Sequence, residues 1–94
     1  MPSAPKVWVA VGNWKMVDPE GREYIKVTDF PVPDDCPYSG ESMWVIKKGG
    51  SDYSGWGLLE NMPFFCTEVA LGDLIEYAGG SGDIKPKYTG RYIP

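Results

Sequence analysis

Ninety-four residues make one domain, and a chain of this length buries only about two thirds of the surface its unfolded form exposes, so the core is small. With 43% hydrophobic and 23% charged residues the composition is that of a folded globular domain, not of a polar disordered tail. There is no histidine, which removes Ser-His-Asp, Cys-His and histidine-metal chemistry together, and the net charge of −4 disfavours non-specific nucleic-acid binding.

Residues 1–5, Met-Pro-Ser-Ala-Pro, lack the charged and then apolar organisation of a signal peptide and read as a flexible N-terminus. No apolar run reaches the roughly 20 residues of a membrane-spanning helix, so a cytoplasmic protein without a membrane partner is expected. From Lys6 to Lys15 the chain is rich in β-branched and aromatic residues, with Val7, Val9 and Val11 on one face and Trp8 and Ala10 on the other. That pattern predicts a strand apolar on both sides. Asp18-Pro-Glu-Gly21 suits a type I turn and Arg22 to Val27 a return strand, so residues 6–27 read as a hairpin. Residues 28–40 hold three prolines and predict a long connection that no regular helix or central strand could accommodate. Phe30, Val32 and Tyr38 give it apolar anchors, as expected of an ordered loop packed across the domain.

A second hairpin is predicted over residues 42–60, with a turn at Gly49-Gly-Ser-Asp52 and with Gly55 and Gly57 flanking Trp56 where a bulge or a close backbone approach is expected. Pro63 should end its return strand. Phe64 to Ala70 then reads as a turn or one short helical turn, and Gly72 and Asp73 as a structural turn opening the strand Leu74 to Tyr77. After the Gly-rich turn 78–83, Ile84 to Tyr92 is predicted as a last strand, at an edge because it contains Pro86 and Gly90. No window shows a 3.6-residue period. The chain is therefore expected to be all-β, a small partly closed β-barrel or rolled antiparallel sheet of five to six strands.

Three motifs, Glu41-Ser-Met-Trp44, Asn61-Met-Pro-Phe-Phe65 and Ala70-Leu-Gly-Asp73, occur in order. They resemble an uncharacterised family of bacterial domains of unknown function, in which Glu-x-Leu-Trp precedes Asn-Ile-Pro-Phe-Phe and a Gly-Ala-Leu-Gly-Asp step. The resemblance spans residues 41–77 and implies a shared domain without implying a reaction. The Gly-Asp step also resembles the turn of cradle-loop β-barrels, which favours a barrel over an open sheet.

The candidate chemistry is sparse. Glu60, Glu68, Asp73 and Glu76 cluster in sequence, but nothing fixes two of them at a catalytic separation, and no catalytic residue is assigned. No Ca²⁺ loop spacing occurs around Asp29 to Asp35 or Asp52, so neither a metal nor a cofactor is expected. Cys36 and Cys66 are too few for a disulfide framework and lack zinc-site spacing; they read as reduced, partly buried thiols, with geometry left to decide whether they bridge. Residues 85–94 carry Lys85, Lys87 and Arg91 with no acid, interleaved with Tyr88 and Tyr92, and guarding of an edge strand explains them more simply than nucleic-acid stacking does.

Aromatic residues are the strongest feature: four Trp, six Tyr and three Phe exceed what a small core hides. Trp14, Tyr38, Tyr53 and Trp56 are the interface or ligand candidates, with Trp8 as an alternative to Trp14. The expected function is a small non-enzymatic module that binds another protein. In its size and acidity it resembles the host-directed proteins that bacteriophages encode. The alternative is a binder of a nucleotide-like small molecule in an aromatic-lined barrel mouth with the 79–82 turn. Exposed edge strands also leave room for a homodimer.

Overall fold

The computed structural model describes residues 7–93, so the N-terminal residues 1–5 read above as flexible lie outside the described residues. Seven strands, β1 (Val9–Val11), β2 (Lys15–Val17), β3 (Glu23–Phe30), β4 (Glu41–Gly50), β5 (Gly55–Leu59), β6 (Leu74–Ala78) and β7 (Lys87–Ile93), follow one another in a single sheet. The last five close into a barrel, with β1 and β2 as a hairpin carried on β3. Five is an odd number, so a meander returns to its first strand running in the same direction, and the closing β3–β7 pair is parallel at Thr28 and Lys87. No described residue is helical, and the segment 64–70 is irregular where one helical turn was considered.

Alternation along the barrel strands turns Ile25, Val27, Met43, Val45, Leu59, Ile75 and Tyr77 inward, all fully buried. Phe30 and Tyr88 stack at 4.7 Å to close the core between β3 and β7. Tyr77 carries a polar atom into this core and satisfies it by donating its hydroxyl to the Ser51 carbonyl at 2.8 Å. Burial raises the Tyr77 pKa to about 12.

Three departures from the sequence reading have local physical causes. The apolar run at the start is two short strands, because Gly12 takes φ +61° and the chain reverses through residues 12–14. Both hairpins then share β2, and the Asp18–Gly21 turn stands as expected, with the Gly21 N–H donating to the Asp18 carbonyl at 3.0 Å. Strand β3 runs on to Phe30, so the proline-rich connection is shortened to residues 31–40. It does so through a bulge in which Asp29 adopts φ +63°. That bend lets Thr28 donate to the Pro86 carbonyl at 3.0 Å while Phe30 resumes pairing with Glu41.

The third departure concerns β7, which lies between β6 and β3 and is no edge. Pro86 is fully buried just before it, and its carbonyl, not its missing N–H, makes the closing bond. Among the described residues the free edge is β1, whose three residues are all exposed. Strand β3 divides its outer edge: Lys15 to Val17 occupy it from Glu23 to Ile25, and β7 takes over at Thr28. Trp14, at the junction, is buried in the core against Tyr53, with ring centroids 5.3 Å apart.

Candidate functional site

At the barrel end carrying the β2–β3 and β4–β5 turns, the mouth is filled. Lys15 lies 2.6 Å from Glu23 and 2.7 Å from Asp52, while Lys47 lies 2.8 Å from Glu23 and 2.7 Å from Asp52. This is a closed, neutral ring of alternating charge, half-buried over the core. Hydrogen bonds from Lys15 and Lys47 hold the Glu23 carboxyl below its ordinary pKa against burial. For Asp52 burial is the larger single influence, upward, yet the same two lysines together outweigh it. Burial likewise acts to lower both lysines, and the two carboxylates override it and raise them. Ammonium groups held charged in this way serve packing and are poor nucleophiles at neutral pH. An aromatic-lined open mouth, expected for a nucleotide-like ligand, is not what this end presents. Tyr53 is instead tied down, its hydroxyl donating to the Gly82 carbonyl at 3.0 Å and its carbonyl accepting from Gly80 at 3.1 Å.

A buried anion, Asp18, lies beside this end. Asp18 accepts from the backbone N–H groups of Glu20 and Arg22 at 2.9 Å each, from the Arg22 guanidinium at 2.5 Å and from the Tyr24 hydroxyl at 3.1 Å. Burial works to raise its pKa, and the donors from Arg22 and Tyr24 overcome that and lower it. The turn is thereby welded to β3.

The opposite end holds the residues of the three sequence motifs. The Glu41 carboxylate accepts from the backbone N–H groups of Phe64 at 2.6 Å, Phe65 at 2.9 Å and Cys66 at 2.8 Å. Burial would raise the Glu41 pKa, but these donors together lower it. Asn61 accepts from the Trp44 N–H at 2.5 Å. The Asp73 carboxylate accepts from Ala70 at 2.8 Å beside Gly72 at φ +88°, and the Leu59 N–H donates to the Asp73 carbonyl at 2.8 Å. Cys66 and Val69 tuck into the core. A loop with no regular structure is thus fixed at its backbone, and it turns Phe64 outward with 84% of its surface exposed. Phe64 meets Phe65 edge-on at 4.8 Å, and Phe65 meets Tyr38 of the proline-rich loop at 5.5 Å. Tyr38 and Met62 are exposed as well, giving this end an apolar, aromatic face.

A third feature lies on the outer side of the sheet, where a groove of about 310 Å³ is lined by Trp8, Met16, Tyr24, Trp44, Glu60 and Asn61. Trp8 packs on Tyr24 at 5.2 Å, so the hairpin supplies one wall and β3 and β4 the other. Across the paired residues Lys26 and Trp44, the Lys26 ammonium sits 5.0 Å from the Trp44 ring centroid.

The four sequence candidates do not converge. Trp14 is buried and forms no surface, and Tyr53 is the half-buried ring it packs on. Tyr38 is exposed at the Glu41 end. Trp56 is exposed beside the β4–β5 turn, the other end of β5, with its indole lying so close to Gly49 that a side chain there would collide with it. Phe64, Phe65 and Trp44 stand in the sequence motifs and Glu60 in the carboxylate cluster, but none of the four is among the interface or ligand candidates read from the sequence. Outward placement of Trp44 follows from alternation with the inward Met43 and Val45, but Glu41's capture of residues 64–66 is a long-range contact without a local signature.

Cys36 and Cys66 are both free thiols. Among the described residues no group of three or more His, Cys, Asp or Glu side chains is arranged to hold a metal, and no helix is long and apolar enough to cross a membrane. No family model, curated protein or solved structure matches this chain.

Proposed function

We propose that this chain is a small, non-enzymatic, cytoplasmic protein-binding module, of the kind with which a bacterium or its phage modulates a host protein. The observation that carries the reading is the exposure of Phe64 on a loop whose backbone is held by three hydrogen bonds to Glu41. A large apolar ring in water is costly on a surface with no use for it, and a pinned loop loses little further freedom on binding. With Phe65 edge-on against it, Tyr38 against Phe65 and exposed Met62 two residues before it in the chain, Phe64 has the make-up of an aromatic anchor on an apolar face. The partner then offers an apolar pocket to this end of the barrel.

Affinity capture from bacterial lysate with wild type and with a Tyr38→Ala/Phe64→Ala variant of equal folded content tests the reading. One protein enriched in stoichiometric amount by wild type and lost by the variant supports it; equal capture by both refutes it.

A second reading, a small-molecule binding protein, is favoured by the outer groove, whose volume lies at the lower end of the roughly 300–1,000 Å³ of ligand pockets. Stabilisation of the melt by a small ligand, absent after Trp8→Leu, supports this reading.

A further inference from the structure

The groove on the outer face of the sheet has a defined electrostatic character. Three aromatic rings, Trp8, Tyr24 and Trp44, and the Met16 thioether make its walls, and Glu60 is the one ionisable carboxylate on its lining. Among the described residues no lysine or arginine lines it. Glu60 is exposed and makes no salt bridge among the described residues. Of the other polar groups on the lining, the Asn61 side-chain amide oxygen accepts from the Trp44 N–H and the Tyr24 hydroxyl donates to Asp18.

Ring faces carry negative potential, and a carboxylate beside them adds a full charge of the same sign. An anionic group such as a phosphate finds no cationic partner on this lining among the described residues. A neutral apolar ligand would fit the walls but draw nothing from Glu60. A cation with an apolar coat uses both. The Lys26 ammonium over Trp44 illustrates the attraction within the protein's own structure, from a position that does not line the groove. A bare ammonium is strongly hydrated and sheds its water reluctantly, whereas a methylated one presents a weakly hydrated surface to the rings.

The backbone around the groove favours a small molecule over a peptide. Tyr24 is paired with Met16 on one side and Ile46 on the other, and Trp44 is paired with Lys26 while its carbonyl accepts from the Glu60 N–H. These two mid-sheet walls have no spare main-chain groups for an added strand, so recognition at Tyr24 and Trp44 is by side chains. We propose that the groove binds a small organic ammonium cation, a quaternary ammonium compound of about the size of choline, with Trp8, Tyr24 and Trp44 facing the methyl groups and Glu60 supplying the counter-charge. The proposal rests on the second reading of function and is independent of the Phe64 face.

The test is titration of the full chain with choline, with its neutral isostere 3,3-dimethylbutanol and with a short trimethyllysine peptide, followed by the indole N–H signals of Trp8 and Trp44. Choline is expected to shift both signals and to bind about ten-fold more tightly than the neutral isostere. Glu60→Gln should weaken choline about five-fold and leave the isostere unchanged, and Trp8→Leu, which removes one of the two signals, should abolish the shift of the remaining Trp44 signal. Equal affinity for choline and the isostere, or no shift up to the highest soluble concentration, would overturn the assignment. Much tighter binding of the trimethyllysine peptide than of choline would also overturn it, by making the occupant a peptide. Small-molecule binding of some other class with no response to choline would leave the second reading standing and remove this one, so the two fail separately.

Discussion

Glu41→Ala removes the acceptor for three backbone N–H groups, those of Phe64, Phe65 and Cys66. A hydrogen bond to a charged group is worth about 1.5–3 kcal/mol net. The three bonds share one carboxylate, and the Phe64 N–H is exposed to water that can replace its partner. The loss is therefore smaller than a sum, about 2–3 kcal/mol, or about 10–20 °C in Tm for a domain of this size. Glu41→Gln keeps one acceptor oxygen but turns an NH₂ group toward N–H donors, so about half the deficit is expected to remain. Chemical denaturation measures the total, and hydrogen exchange at residues 64–66 locates it. A Glu41→Ala variant within about 0.5 kcal/mol of wild type, with those amides as well protected as before, would refute the pinned-loop reasoning. The pH dependence follows the same contact. The Glu41 pKa is lowered on folding, so its contribution is fully present above the unfolded value of about 4.3 and is lost as pH falls through the folded one. The deficit of Glu41→Ala should be constant near neutrality and narrow in acid, where wild type loses the same stabilisation.

Further tests reach the rest of the molecule. Lys47→Met opens the four-charge ring and should cost about 1–2 kcal/mol, and a cycle with Asp52→Asn should give a coupling of at least about 0.5 kcal/mol; additivity would mean that the ring is not cooperative. Gly49→Ala forces its methyl group into the Trp56 indole and should cost about 1–3 kcal/mol while shifting Trp emission, and a Trp56→Ala background should remove most of that cost. Spectrophotometric base titration of the folded protein should leave Tyr77 protonated until about pH 12, and Tyr77→Phe should remove that last step. A thiol reagent should label half-exposed Cys36 in the native protein and reach buried Cys66 only on unfolding; simultaneous labelling would contradict the packing of the 60–73 loop.

Much of the fold was legible because its signals are local. The Asp18-Pro-Glu-Gly21 turn, the β4–β5 hairpin and the glycines around Trp56 are written in residues that act within a few positions of themselves. What escaped depends on partners far along the chain. Residues 7–11 are apolar on both faces, so alternation could not show that the strand stops at Gly12 or that Trp14 turns into the core. Lys85-Pro-Lys read as an edge because a proline in a strand usually sits at one; here its carbonyl meets Thr28, 58 residues away in sequence. The motifs around Asn61, Phe64 and Asp73 read as mainly architectural, and the contacts of Glu41, Asn61 and Asp73 give that architecture its form. The aromatic excess pointed to surfaces in general, while the particular rings that meet, Tyr38 with Phe65 and Trp8 with Tyr24, depend on loop placement and hairpin curl that no local pattern encodes.

The most direct test of the protein-binding reading is calorimetric titration of the captured partner with wild type, Phe64→Ala and Trp56→Ala, the last two altered at opposite ends of the barrel. Loss of at least about ten-fold in affinity for Phe64→Ala alone, at unchanged melting temperature, is the expected result. Equal affinity for wild type and Phe64→Ala would contradict it.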